Sequence, residues 1–398
     1  MTLRSSKCKV GVWWVAAAAL AVIAPCAKGT LVAGGTGEQT SGGPPPGIPG
    51  YNNVALIGDG AGIYLGDRWM LSANHVDGGL PGAWTATFNG QTYAQDLSTP
   101  KINLTNPNGT TADFSIRRLA TAPNLPSLVI GGTPAIGTSI TTVGWGVNRA
   151  TSPTVWYYNA SNNSIAWSET PGPTRPNSAL GYKWGTTRAK RWGTNVTEAM
   201  ATDGNGQPLP LLYATVPGGG TTQLFGSEFT NNGSTTEGTV ADNDSGGAVF
   251  DSRNRLIGVS LYTYYFEGQP NHTSVFGDYA FYGNLATYAD QIASQTHWAP
   301  SILGDANLDG SVDGTDFKIL YAHYGTGSKW SQGDFDLNGL VDFNDYQILE
   351  NHFGSIYTAP ASDVGMDGGP GGIAGVPEPS VLALGGIAMG ALLGRRRR

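Results

Sequence analysis

From residue 51 onward the chain is a succession of short apolar runs, each closed within a few residues by Gly, Asp or Asn. Val54–Ile57, Gly62–Leu65, Trp69–Ser72, Trp84–Phe88, Ser127–Ile130, Ile140–Val143, Gly247–Phe250 and Leu256–Tyr262 all have strand length. No helical pattern alternates with them, so a doubly wound α/β domain is excluded and an all-β sandwich or barrel is expected. With 59 glycines and only 13% charged residues, the composition suits a β-rich, loop-rich fold, and 10% aromatics suffice for a core. Helical spacing recurs at Leu285, Tyr288, Ala289 and Ile292, which predicts a closing helix over Gly283–Ser294. The stretch Asn148–Phe229 is rich in Asn, Thr, Gly, Trp and Tyr, and includes Gly181-Tyr-Lys-Trp-Gly185 and Lys190-Arg-Trp-Gly193. It reads as loops and hairpins without an assignable role.

Both ends carry processing signals. Arg4, Lys7 and Lys9 precede the apolar Val10–Ala24, and residues 1–29 read as a secretory signal. Cys8 and Cys26, the only 2 cysteines, fall there, so the mature chain is expected to lack a disulfide. Residues 30–50 are Gly/Pro-rich and read as a flexible lead-in. At the far end, a linker over 355–375 leads to Val376-Pro-Glu-Pro-Ser380, the apolar Val381–Gly394 and Arg395–Arg398. This ending, residues 376–398, resembles the PEP-CTERM sorting tail of Gram-negative envelope proteins. The resemblance implies cutting by an exosortase-like enzyme and a secreted, extracellular or outer-envelope location. Removing both ends takes away basic residues, moving the net charge of −7 further negative and leaving no basic stripe for nucleic acid.

Three segments carry acyl-transfer chemistry. Trp69-Met-Leu-Ser-Ala-Asn-His75-Val76 delivers an imidazole at the end of an apolar strand. Asp113-Phe-Ser-Ile-Arg-Arg-Leu119 opens an alternating strand with a carboxylate. Asp242-Asn-Asp-Ser245-Gly246-Gly247-Ala-Val-Phe250 sets a serine on a sharp glycine turn before another strand. Taken singly, the His reads as structural and the Asp as a strand-entry residue. Taken together and in this order, they resemble the trypsin/chymotrypsin family through Ser72-Ala-Asn-His75, Asp113-Phe-Ser-Ile and Asp244-Ser245-Gly246-Gly247. Gly144-Trp145-Gly146 matches a further family strand. The resemblance covers residues 51–298. It implies an all-β two-barrel fold with a C-terminal helix, and a serine endopeptidase acting on protein or peptide substrates. It also implies a His75, Asp113 and Ser245 triad, an oxyanion hole from the N–H groups of Asn243 and Ser245, and no cofactor for catalysis.

Two departures stand out. Asn243 occupies a usual Gly position, tolerable because Asn enters positive φ more readily than other side chains. Asn74 replaces a usual Ala. Thr239 aligns with the floor of the specificity pocket, and its neutrality points to small or apolar residues rather than Arg or Lys. Asp244 aligns with the carboxylate that pairs a newly cut N-terminus, expected here near Leu31.

The last region, 303–354, holds a duplicated acidic loop. Asp305, Asn307, Asp309, the Ser311 carbonyl, Asp313 and Asp316 stand at loop positions 1, 3, 5, 7, 9 and 12, with Gly310 at the tight turn. Asp334, Asp336, Asn338, the Leu340 carbonyl, Asp342 and Asp345 repeat this later in the chain. Apolar residues at helical spacing follow each loop: Phe317, Leu320, Tyr321 and Tyr324, then Tyr346, Leu349 and Phe353. The unit resembles a type I dockerin, an α-helical module with two EF-hand-like loops, which implies two Ca²⁺ ions and a cohesin-like partner. Two other readings stay open on sequence grounds. One is a catalytically inactive trypsin-like surface binding module, the other an envelope assembly protein acting through its dockerin-like domain.

Overall fold

The computed structural model describes residues 30–77, 83–159, 167–203, 205–216 and 220–360. The secretory signal and the sorting tail lie outside the described residues. The chain divides into two compact units, Met1–Ser362 and Asp363–Arg398, and only the first falls among the described residues. Among these, no helix is long and apolar enough to cross a membrane.

The architecture is all-β with few helices, built on two seven-stranded antiparallel sheets. The first runs Gln91–Ala94, Thr85–Phe88, Val54–Ile57, Gly60–Gly66, Trp69–Ala73, Thr111–Arg118 and Ile102–Thr105 in spatial order. It curls back on itself: Gln95, just past its first strand, bridges Leu119, just past Thr111–Arg118. The second runs Arg191–Val196, Ser139–Gly144, Ala248–Asp251, Leu256–Tyr264, Tyr279–Asn284, Thr221–Glu228 and Leu212–Thr215. It curls likewise, with Glu198 N–H donating to the Gly226 carbonyl at 2.9 Å. Alternation along the strands sends Ile57, Tyr64, Met70, Trp84 and Phe88 into the first core, and Ile140, Phe225, Val249, Ile257 and Tyr282 into the second. Burying each such side chain contributes about 1.5–3 kcal/mol, and this replaces cross-linking in a core without cysteine.

Four expectations change here. Ser127–Ile130 forms no ladder. It lies extended between the sheets and the following segment, Leu128 N–H on the Leu65 carbonyl and Ile130 N–H on the Pro300 carbonyl, with one bridge from Ile130 to Leu256. Its apolar character reflects burial, not pairing. The closing helix begins later, because Gly283 and Asn284 end a sheet strand. Leu285–Tyr288 is a 3₁₀ turn and Ala289–Thr296 the α-helix. The lead-in opens with a buried strand, Thr30–Val32, paired with Gly238–Val240. The Arg149 guanidinium holds the carbonyls of Val32, Ala33, Gly34 and Gly35 at 2.6–2.9 Å. Asn148–Phe229 proves composite. Its second half supplies Arg191–Val196, Leu212–Thr215 and Thr221–Glu228 to the second sheet. Its first half builds a further sheet in which Asn177–Arg188 pairs with Val147–Arg149, Thr154–Tyr158 and Thr273–Val275.

Past the helix, two acidic loops each lead into a ten-residue helix, Gly314–His323 and Phe343–His352. Asp313 and Asp342 cap them, and each forms a reciprocal capping box with Asp316 or Asp345.

Candidate active site

The first sheet and the segments of the second touch where Ala61 N–H donates to the Ser245 carbonyl at 2.9 Å and Asp113 N–H donates to Thr222 Oγ1 at 2.9 Å. His75 sits in a one-turn helix, Asn74–Asp77, that follows Trp69–Ala73 without a break. That strand pairs Ala73 with Phe114, which sets Asp113 beside the turn. The result is a two-point hold: His75 Nδ1 lies 2.6 Å from Asp113 Oδ2, and His75 N–H donates to Asp113 Oδ1 at 2.9 Å. Asp113 is fully buried and the His75 side chain 3% exposed.

Ser245 comes from the second sheet. Gly246, at φ +85°, has no room for a side chain, since a Cβ there would stand 2.6 Å from Ser72 Oγ. Ser72 itself donates to the Ala61 carbonyl at 2.7 Å. A Cβ on Gly60 would meet Val76 Cγ1 at 2.6 Å and the Ser245 carbonyl at 2.9 Å. The residue after His75 and the backbone of Ser245 therefore converge on one glycine. Ser245 Oγ donates to the Leu261 carbonyl at 3.2 Å, and Gly246 N–H to the Ser260 carbonyl at 2.9 Å. Asn243 takes φ +80°, the conformation expected of it, and its side-chain amide donates to the Asp59 carbonyl.

Asp244 is wholly buried against Gly144, where any side chain would strike its carboxylate. Burial pushes its carboxyl up to about 7, against the opposing pull of the Thr30 hydroxyl and of Arg191 and Arg188. Thr30 is near enough to act on it, yet neither Asp244 oxygen meets a well-aligned donor among the described residues. Thr239, on Gly238–Val240 and paired with Leu31, is also fully buried, with Oγ1 unpartnered among the described residues.

Asp77 was missed by the sequence reading. It is 2% exposed and receives Arg117 Nε at 2.6 Å, Lys101 Nζ at 3.2 Å and Ser115 Oγ at 2.6 Å. Lys101 also donates to Asn74 Oδ1 at 2.6 Å, which gives the unusual Asn74 a partner. These contacts tie the His75 turn to the strand that carries Asp113. Their signal was spread over distant positions, each unremarkable alone.

In the second acidic loop, Asp334, Asp336 and Asp345 bring carboxylate oxygens within 4.8 Å of one another. Burial raises the Asp334 and Asp345 carboxyls, with the Asp336 charge adding to this. In the first loop, Asp305 is raised to about 6 and Asp316 is raised too, both mainly by burial. Asp305 Oδ2 accepts from Ser301 Oγ at 2.6 Å and Gly310 N–H at 3.0 Å. Asp309 Oδ2 takes the Asn307 amide and Asp336 Oδ2 the Asn338 amide, each at 2.9 Å. Ser311 and Leu340 give their N–H groups to neighbouring side chains within the loops. Such oxygen clusters suit a hard cation. His323 and His352 each place Nδ1 on a carbonyl of their own helix, Ile319 or Ile348.

No protein-family model matches the chain, and no curated protein matches it. Among solved structures, it is similar to the Rv3671c protease from M. tuberculosis in its active form, at 14% identity over 61% of this chain and 81% of that one, TM-score 0.30. It is also similar to kallikrein-related peptidase 10, at 12% identity over 64% of this chain and 99% of that one, TM-score 0.36.

Proposed function

We propose that the chain is a secreted serine endopeptidase of trypsin-like, two-barrel type, hydrolysing peptide bonds through His75, Asp113 and Ser245. The observation that carries this reading is the buried His75 Nδ1 to Asp113 Oδ2 contact of 2.6 Å on one curled sheet, with the Ser245 turn brought against that sheet from the other. A serine hydroxyl needs a neighbouring base at neutral pH. Asp113 fixes the tautomer with the proton on Nδ1, which leaves Nε2 to take the Ser245 proton and later give it to the leaving amine. The N–H groups of Asn243 and Ser245 stabilise the oxyanion, each such donor being worth about 3–4 kcal/mol. Thr239 forms a neutral pocket floor that disfavours Arg. Labelling with a fluorophosphonate probe, in parallel with casein hydrolysis, tests the assignment. Labelling that persists in Ser245→Ala refutes it.

Activation follows from Asp244. A buried carboxylate without a well-aligned donor calls for a cation, and the Thr30 hydroxyl is among the groups that act on it. A cut before Thr30 would place an α-amine there, one residue earlier than Leu31. N-terminal sequencing of the secreted protein decides between them.

The two acidic loops would hold Ca²⁺ through the residues named above, and the ion's contribution there is to neutralise converging carboxylates and fix the loops. Removal of 376–398 by an exosortase-like enzyme and binding of a cohesin-like partner complete the proposal. An intact mass retaining Arg395–Arg398 in the envelope-associated form contradicts the first. Absence of cohesin binding contradicts the second.

A further inference from the structure

The first half of Asn148–Phe229 builds a cleft. Trp184, on Asn177–Arg188, and Trp167 line it with the buried Trp156 on Thr154–Tyr158 and with the segment Pro270–Thr273, around an open depression of about 440 Å³. Gly181, inside the same strand, allows this sheet to close, since a Cβ there would stand 2.6 Å from Val275 Cα.

The indoles are held in place. Tyr158 stacks on Trp167 at 4.4 Å and 7°. Trp167 Nε1 donates to the Glu267 carbonyl at 3.0 Å, and Trp184 Nε1 to Ser274 Oγ at 2.9 Å. His272 meets Trp184 edge-on at 5.7 Å and takes φ +56°, an uncommon conformation for a side chain of its size. With both N–H groups spent inside the protein, these two rings offer carbon surface to the cleft.

The rim is polar. Glu169, Lys183, Asn271 and His272 surround the indoles, and no Leu, Ile, Val or Met is among the described lining residues. An aliphatic side chain would therefore meet charged and amide groups. Lys183 and Glu169 pair at 2.6 Å, so their charges cancel and an anion finds no net attraction. What fits is a neutral ring with one C–H face for an indole and hydroxyls around its edge for carboxylate, ammonium and amide partners.

We infer that this cleft binds a neutral saccharide. It lies along the chain from the nucleophile: Trp184 packs on Tyr265 at 6.4 Å, and Tyr265 follows Leu261, whose carbonyl receives Ser245 Oγ, by four residues. Tyr265 stands just past the end of Leu256–Tyr264, so it and Leu261 lie at most about 13 Å apart along the chain. The inference does not depend on the peptidase reading, and its test uses Ser245→Ala so that the two can fail separately.

Gluco-, manno- and N-acetylglucosamine hexasaccharides are titrated into Ser245→Ala with tryptophan fluorescence and calorimetry as readouts, each also presented on a glycopeptide. At least one hexasaccharide binds, and Trp184→Ala weakens it at least about tenfold. Should Trp184→Ala misfold by circular dichroism, Glu169→Ala and Lys183→Ala carry the test. Their side chains are 53% and 48% exposed, and each reduces binding several-fold. Tighter binding of the glycopeptide assigns the sugar to a substrate, and equal binding assigns it to a free polysaccharide. No binding by any hexasaccharide, or binding unaltered in the folded variants, overturns the inference.

Discussion

Arg255 reaches out of the β-domain to the backbone of the first acidic loop: its Nη1 donates to the Leu308 carbonyl at 3.0 Å, while its Nε is fixed on Asp251 Oδ2 at 2.8 Å. Gly132 N–H donates to the same carbonyl at 2.8 Å, and Arg253 Nη1 to the Asp309 carbonyl at 3.4 Å. The Asp251–Arg255 turn joins Ala248–Asp251, which begins just past Ser245, to Leu256–Tyr264. If the first loop holds Ca²⁺ as proposed, these contacts carry the effect of its removal to the β-domain.

Chelation is therefore expected to lower the melting temperature of the β-domain together with that of 304–354. Arg255→Ala should uncouple them. A hydrogen bond to a charged group is worth about 1.5–3 kcal/mol, a shift of a few degrees in a domain of this size. Calorimetry of the full chain in Ca²⁺ and in EGTA reads this directly. A β-domain transition indifferent to EGTA in the unaltered chain would return the two to independence.

Asp113→Asn should leave the fold intact and reduce kcat about 10⁴-fold, because an amide no longer selects the tautomer with the proton on Nδ1. His75→Ala should do comparable damage, since the members act as a unit. Steady-state hydrolysis of a peptide amide checks both. A loss confined to KM would mean that Asp113 only shapes the substrate site.

The local geometry of the three segments was legible because each is a contiguous string: a strand end before His75, a strand holding Asp113 near its start, a glycine turn at Ser245. The two acidic loops leading into capped helices were legible for the same reason, their Asp and Asn residues falling at fixed spacing. Asp77 was not, since Lys101 and Arg117 reach it only after the sheet has formed. Ser127–Ile130 was misread because burial and ladder pairing select the same side chains. The Trp cleft was hidden because Trp156, Trp184 and Pro270 come together through pairing of Asn177–Arg188 with two strands far apart in sequence.

Asp77→Ala tests the anchoring of the His75 turn. It strands the Arg117 and Lys101 cations in a mostly buried site, which typically costs about 3–5 kcal/mol. Chemical denaturation should show that loss. At temperatures where the variant remains folded, kcat should fall more than KM rises, since the contact positions the base rather than the substrate. Unchanged kcat in the folded variant would make Asp77 purely structural.

Asp244 yields a pH prediction with a definite sign. Its carboxyl lies near 7 in the folded chain against an ordinary 3.8, so the folded state keeps a proton that the unfolded state has released between those values. Stability must then fall as pH rises through that window, by up to about 1.4 kcal/mol per pH unit for one such group. Asp278, also near 7 chiefly through burial, acts in the same direction. Urea denaturation from pH 4 to 8 should show the decline in a precursor that begins before Thr30. Asp244→Asn should remove one group's share of it. A chain beginning at Thr30 should lose less, because an α-amine beside Asp244 favours the charged carboxylate and lowers its pKa. Identical pH profiles for the two chains would mean that the amine does not reach Asp244, and activation would have to work by another route.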